Sequence, residues 1–210
     1  MKIINILVFL CLITGSMIAQ DLKAVTEDGR QVILHKNGKW DFVQLSKDKS
    51  EALKNYSKPD DAKMLIKGKK ETYGIWYNGS KWKLKDQEKS NNSSAEYQFE
   101  HSEGDAYAMV IFERVDMKLE NLRDIAFENA KSVAPDAKIV FEDKRLVNGA
   151  EVLCVRIIGT IDSIAFQYYN YYYAGPAGTI QIVTYTSQNL IQEYEKDFTD
   201  FLNGFVTYKK

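Results

Sequence analysis

The residues of this chain that could do chemistry are few and scattered. Histidine occurs twice, at His35 and His101, and neither has a cysteine or histidine partner at the spacing that three or four zinc ligands require. No metal site and no cofactor are expected. Of the two cysteines, Cys11 sits in an N-terminal apolar run and Cys154 between Leu153 and Val155. A cysteine in such a run reads as a small buried side chain and not as a thiolate nucleophile. The sequence has no G-x-S-x-G elbow, no P-loop and no G-x-G-x-x-G loop. Carboxylates remain, at Glu113-Arg114 and in Glu142-Asp143-Lys144-Arg145, which are expected at strand ends where loops begin. Paired carboxylates can do acid–base work or hold calcium. Adjacent strand residues point to opposite faces, however, so neither group converges on one site by itself. No catalytic residue is assigned, and a hydrolase with scattered catalytic residues is only a minor alternative.

The sharpest oddity is Tyr168-Tyr169-Asn170-Tyr171-Tyr172-Tyr173, which concentrates five of the chain's 13 tyrosines. A period of two puts Tyr169, Tyr171 and Tyr173 on one strand face and Tyr168 and Tyr172 on the other. Two readings fit this row. Aromatic rings with polar tips suit a half-wet surface that binds sugar, peptide or a partner protein, which makes Tyr169, Tyr171 and Tyr173 the candidate binding residues. Tyrosine is also a good strand former, and a row under the edge of a helix would look the same.

The 210-residue chain opens with Lys2 as a short positive region and an apolar run from Ile3 to Ile13. Ser16 to Ala19 follow as a cleavage segment. Residues 1–19 are expected to be a signal peptide, with Ala19 the last residue removed. The run is shorter than the about 20 apolar residues a membrane span needs, and nothing later approaches that length. The residues before Cys11 also lack a lipobox. An exported protein, soluble in the periplasm or outside the cell and without a stable membrane anchor, is expected. Of 28 basic residues Lys2 leaves with the leader, so against 29 acidic residues the net charge moves from −1 to −2. That balance gives no clustered positive field for nucleic acid. Cys154 is then the sole cysteine, so no intramolecular disulfide forms and burial must hold the core.

These candidates need elements to position them. Residues 20–45 read as a small three-strand meander, Leu22–Thr26, Gln31–His35 and Trp40–Val43, turned at Asp28-Gly29 and Asn37-Gly38. Residues 46–62 are polar and charged, and read as a linker with a helical turn around Glu51–Tyr56. The main domain, 63–210, starts with a hairpin of Thr72–Tyr77 and Lys81–Leu84 around Asn78-Gly79. A polar loop leads to the strands Ala95–His101 and Asp105–Glu113. A helix follows over about Lys118 to Ser132, with Asp116 as candidate cap and Pro135 at its end. Lys138–Glu142 is a strand, and Asn148-Gly149 turns the chain into the stretch Asn148–Thr186. Three long apolar runs there alternate with apolar residues on both faces, so that sheet needs cover on both sides. A second helix, with Leu190, Ile191, Tyr194, Phe198, Phe201 and Leu202 in one stripe, supplies part of it. Thr186 or Ser187 is its expected cap and Gly204 its expected stop.

The order of these elements, with Ile75–Tyr77 and Trp82, Ala177-Gly178 opening a strand, and Thr184-Tyr185-Thr186 leading into the last helix, resembles the PsbP-like fold family over about residues 71–205. The resemblance implies an α+β fold, a central antiparallel sheet flanked by helices in an α/β/α sandwich. The small N-terminal β-meander lies outside it. The resemblance also implies a role in binding or assembly and no enzymatic activity. The reading is thus an exported, non-enzymatic binding or assembly module of the cell envelope, with an unknown envelope protein or small ligand as partner. The alternative is a carrier of a lipid, sugar or metal ion, with a pocket between sheet and helix lined by Trp76, Trp82 and the tyrosines.

Overall fold

The computed structural model describes residues 22–25, 31–35, 37–42, 53–86 and 94–208. The expected signal peptide lies outside the described residues. The chain divides into two compact units, Met1–Lys47 and Asp48–Lys210. In the first, β1 (Leu22–Val25), β2 (Gln31–Leu34) and β3 (Trp40–Phe42) form the antiparallel meander that the turn signals call for, in the order β1-β2-β3.

The second unit is built on an eight-stranded sheet. Its strands are β4 (Lys54–Tyr56), β7 (Trp82–Leu84), β8 (Tyr97–His101), β9 (Ala106–Glu113), β10 (Lys138–Val147), β11 (Ala150–Ile161), β12 (Ile164–Gly175) and β13 (Gly178–Ser187), in the order β4-β10-β11-β12-β13-β9-β8-β7. All neighbours are antiparallel except β4, which runs parallel to β10. A second sheet, β14-β6-β5, combines β5 (Met64–Lys67), β6 (Tyr73–Tyr77) and β14 (Phe205–Thr207).

The two-faced alternation of the central stretch becomes two cores. On one face Leu153, Val155, Ile157 and Tyr172 pack under Leu122, Ala126 and Ala130 of α1 (Leu119–Val133). On the other, Val152, Cys154, Tyr169, Tyr171, Ile180 and Ile182 share a cluster with Phe198, Phe201 and Leu202 of α2 (Ile191–Asn203) and with Tyr73, Ile75 and Phe205 of the small sheet. A helix layer on each side makes the expected α/β/α sandwich. Burying each of these large side chains contributes roughly 1.5–3 kcal/mol.

Several local expectations change. Lys54–Tyr56, read as linker and helical turn, is an edge strand, because Lys54, Asn55 and Tyr56 pair with Arg145, Leu146 and Val147. Thr72–Tyr77 and Lys81–Leu84 are not a hairpin: β6 and β7 belong to different sheets, and Asn78-Gly79 only redirects the chain between them. β10 runs on to Val147, so Glu142 to Arg145 lie inside a strand and not at its end. Asp116 does not cap α1, whose N-cap is Lys118 with no side-chain bond. Ser187 precedes a short 3-10 turn, Gln188–Leu190, and also makes no side-chain cap. Gly204 does stop α2 as its C-cap, but with an ordinary helical φ of −71° in place of a left-handed one. Its lack of a side chain serves close approach instead, since a Cβ there would stand 1.8 Å from the Trp76 carbonyl oxygen. The Trp76 N–H donates to the Gly204 carbonyl at 2.9 Å.

Asn148-Gly149 behaves as a two-residue hairpin turn should, with φ of 47° and 84° between the paired Val147 and Ala150. The Asn148 side chain then does more than the turn requires. Its Nδ2 donates to the carbonyls of Asn203 at 2.8 Å and Phe205 at 2.7 Å, and its Oδ1 accepts the Lys58 N–H at 2.9 Å. One carboxamide thus ties the β10–β11 turn to the end of α2, to β14 and to the segment after β4. Asn148→Gly keeps a backbone suited to positive φ while deleting these ties. The expected loss is about 2–4 kcal/mol in urea unfolding, from three hydrogen bonds and the groups left behind. A loss under ~0.5 kcal/mol would show that the ties carry no stability.

Candidate functional site

Arg145 is the most buried charge among the described residues, 5% exposed on the α2 face of β10. Period two places Phe141, Asp143 and Arg145 on that face, opposite Cys154 and Arg156 of β11 and Tyr169 and Tyr171 of β12. Arg145 Nε donates to Asp143 Oδ1 at 2.7 Å, and its NH1 donates to the hydroxyls of Tyr169 and Tyr171, each at 2.9 Å. Its guanidinium also stands 4.9 Å from the centre of the Tyr56 ring. Tyr171 in turn donates to Asn203 Oδ1 at 2.9 Å, at the end of α2. Arg156 lies 4.1 Å above the Tyr169 ring and reaches Glu195 of α2. A buried guanidinium is costly unless it is paired, and here a carboxylate on Nε, two phenols on NH1 and the surrounding ring faces offset that cost.

Tyr169 and Tyr171 are therefore not a half-wet surface. They are 2% and 1% exposed, and both hydroxyls are engaged by Arg145. The face division read from the alternation holds, with Tyr172 on the opposite side, but α2 covers the row as far as Tyr171. Only Tyr173, the third residue of that face, emerges half-buried beyond the cover, packed 5.3 Å from the Phe205 ring.

At that end of the sheet lies a cavity of about 830 Å3. Its floor is one cross-strand row, Phe112 of β9, Ile180 of β13 and Tyr173 of β12, which the register sets side by side. Thr72 and Tyr208, at the ends of β6 and β14, line it too, and their hydroxyl oxygens are shut off from water without a hydrogen-bond partner. Burial pushes the Tyr208 hydroxyl above its ordinary pKa. Both signs of charge ring the mouth: Lys70 and Arg114, and Asp116 and Glu151, the last held 3.3 Å from Lys144. An apolar floor and a mixed-charge mouth suit a ligand or partner segment with an apolar body and polar ends. Sequence reasoning reached Tyr173 but missed Phe112, Thr72 and Tyr208, which come together only through pairing.

The other candidates are structural. His101 is buried between Trp82 and Tyr194, with ring centres 5.1 Å away in each case. Its Nδ1 accepts the Glu103 N–H at 3.4 Å, and its Nε2 lies 3.2 Å from Asp197 Oδ2 in an approach too bent for a good hydrogen bond. Lys81 shares Asp197 at 2.5 Å, so the group fastens α2 to β7 and β8. Trp82 packs on Phe198 and Phe201, and the residual space beside it is about 10 Å3, too small for a ligand. The pocket expected between sheet and helix at Trp82 is thus filled. Glu142 and Lys144 face α1, pairing with Arg123 at 3.0 Å and Glu120 at 3.4 Å. Among the described residues no group of three or more His, Cys, Asp or Glu could hold a metal ion, and no helix is long and apolar enough to cross a membrane.

No family model matches the chain, and no curated protein sequence matches it significantly. Solved structures do. Cyanobacterial PsbP (CyanoP) from Synechocystis sp. PCC 6803 has a TM-score of 0.55 at 11% identity, over 69% of this chain and 92% of that one. The Ran-binding protein Mog1p of Saccharomyces cerevisiae has a TM-score of 0.48 at 9% identity, over 69% and 94%. LpqN, involved in cell envelope biogenesis of Mycobacterium tuberculosis, has a TM-score of 0.45 at 5% identity, over 70% and 90%. The fold is PsbP-like. Identities this low establish the fold alone.

Cys154 supplies a test of the buried network. Burial pushes its thiol up to about 12 from an ordinary 9.0, even with Arg145 beside it. The unfolded chain therefore loses this proton first, and stability that is intact below pH 9 falls as pH rises toward 12. Burial likewise pushes up the hydroxyls of Tyr171 and Tyr172. Urea unfolding of the chain without residues 1–19 should show a fall of ~1.4 kcal/mol per pH unit from the thiol alone in that window, and Cys154→Val should flatten it. At pH 8 the native thiol should resist a disulfide reagent that labels the unfolded chain. Equal labelling rates in the two states would contradict the buried, protonated thiol.

Proposed function

We propose that this chain is an exported, non-enzymatic binding or assembly module of the cell envelope, and that it engages its partner at the Tyr173 cavity. The observation that carries the reading is the cavity itself, about 830 Å3 with Phe112, Ile180 and Tyr173 as an apolar floor and charges of both signs at its mouth. Lys2, the apolar run to Ile13 and the cleavage segment ending at Ala19 support export. In this reading Tyr169 and Tyr171 support the scaffold and Tyr173 carries the contact. A small-ligand carrier is the second reading, favoured by a volume within the usual range of about 300–1,000 Å3 for ligand sites.

A photoreactive phenylalanine analogue at Tyr173 tests both. Irradiation of cells should give a discrete adduct, of protein mass for an assembly partner or of small mass for a cargo. Phe112→Ala should weaken it, and the same analogue at exposed Lys131 should not form it. Equal adducts at the two positions would remove the cavity from consideration. Protein recovered from the exported fraction should begin at Gln20, whereas a cytoplasmic product retaining Met1 would refute export.

A further inference from the structure

The charges that line the Tyr173 cavity narrow what it can hold. Four charged side chains take part: Lys70, Arg114, Asp116 and Glu151. Glu151 is engaged by Lys144, whose Nζ stands 3.3 Å from its Oε1. Lys70, Arg114 and Asp116 are exposed and make no ion pair or hydrogen bond among the described residues. Two unpartnered cations thus stand with one unpartnered carboxylate at the rim of an apolar floor, and the excess is positive. Its complement is a single negative charge, and a guanidinium takes a carboxylate in matched, bidentate geometry.

The rest of the lining is poor in groups that could meet a polar ligand body. Val115 and Pro176 extend the apolar surface of Phe112, Ile180 and Tyr173. The hydroxyl oxygens of Thr72 and Tyr208 are shut off from water and so from a ligand. A peptide would bring one N–H and one carbonyl with every residue, and each is costly when left unmet. Uncharged side chains offer only the hydroxyls of Tyr173 and Thr207 to answer them. A hydrocarbon chain makes no such demand. We propose that the cavity binds a free fatty acid, with its chain along the Phe112–Ile180–Tyr173 row and its carboxylate at Lys70 and Arg114. The inference rests on the Tyr173 cavity being the binding site, and it gives the carrier form of that reading a cargo.

The test uses the full chain and four probes at sub-millimolar concentration: decanoate, octanoate, 1-decanol and decylammonium. Binding is read from the ring signals of Phe112 and Tyr173. Decanoate should shift them saturably. Octanoate should bind about tenfold more weakly, since each buried methylene is worth about fourfold. Decanol, which keeps the chain and loses the charge-assisted hydrogen bonds, should also be about tenfold weaker, and decylammonium weaker still. Replacing both exposed cations, Lys70→Gln with Arg114→Gln, should bring decanoate down to the level of decanol and leave decanol unchanged. Phe112→Ala should weaken decanoate and decanol alike. The proposal is overturned if decanol or decylammonium binds as tightly as decanoate, or if the double variant keeps the preference for decanoate. It is also overturned if decanoate shifts neither ring. In that event a discrete protein adduct from the photoreactive residue at Tyr173 would keep the cavity as a partner site, whereas no adduct would remove the cavity together with the fatty acid.

Discussion

Strands β10 to β13 present apolar side chains on both faces, and water can be allowed on neither without a cost of roughly 25 cal/mol for each Å2 left exposed. Most of the architecture follows from meeting that constraint. α1 covers Leu153, Val155 and Ile157; α2 and the small sheet cover Val152, Cys154 and Ile182. A single helix is narrower than an eight-stranded sheet, so cover runs out. It does so at the Tyr173 end on one face and above β13 and β9 on the other. The Tyr173 cavity lies at the first of those margins.

Under α2 the cover encloses a charge. Arg145 is held by Asp143, Tyr169 and Tyr171, and Tyr171 passes the connection to Asn203 at the helix end. Asn148 fastens the same helix end from the adjoining turn. A buried, paired ion adds little net stability against an apolar replacement, but here its carboxylate and phenol partners must all be in place to hold it. The tyrosine row therefore serves to register α2 on the sheet. Its engaged hydroxyls are also what separates Tyr169 and Tyr171 from Tyr173.

The likeness to CyanoP extends over 92% of that chain at 11% identity. With so few identical residues, what the two share is layer order and strand pairing. The cavity floor is a product of that pairing, because Phe112 is far in sequence from Tyr173 and Ile180 and meets their row only across the sheet.

What the sequence by itself determined was local and periodic. Alternation over Asn148–Thr186 told that both faces are apolar, Asn148-Gly149 told where the hairpin turns, and the stripe from Leu190 to Leu202 told that a helix covers the sheet. Those signals come from neighbours in the chain, where φ preference and side-chain direction are set within a few residues. Extension of β10 through Glu142–Arg145, the capture of Lys54–Tyr56 as an edge strand and the separation of β6 from β7 depended on partners far away. So did the fate of the tyrosines. Period two assigned Tyr169, Tyr171 and Tyr173 to one face correctly, yet only the packed structure decided which of them meets solvent. The reason is that exposure depends on how far α2 and the small sheet reach over the strand, a length fixed by tertiary packing and invisible in the alternation.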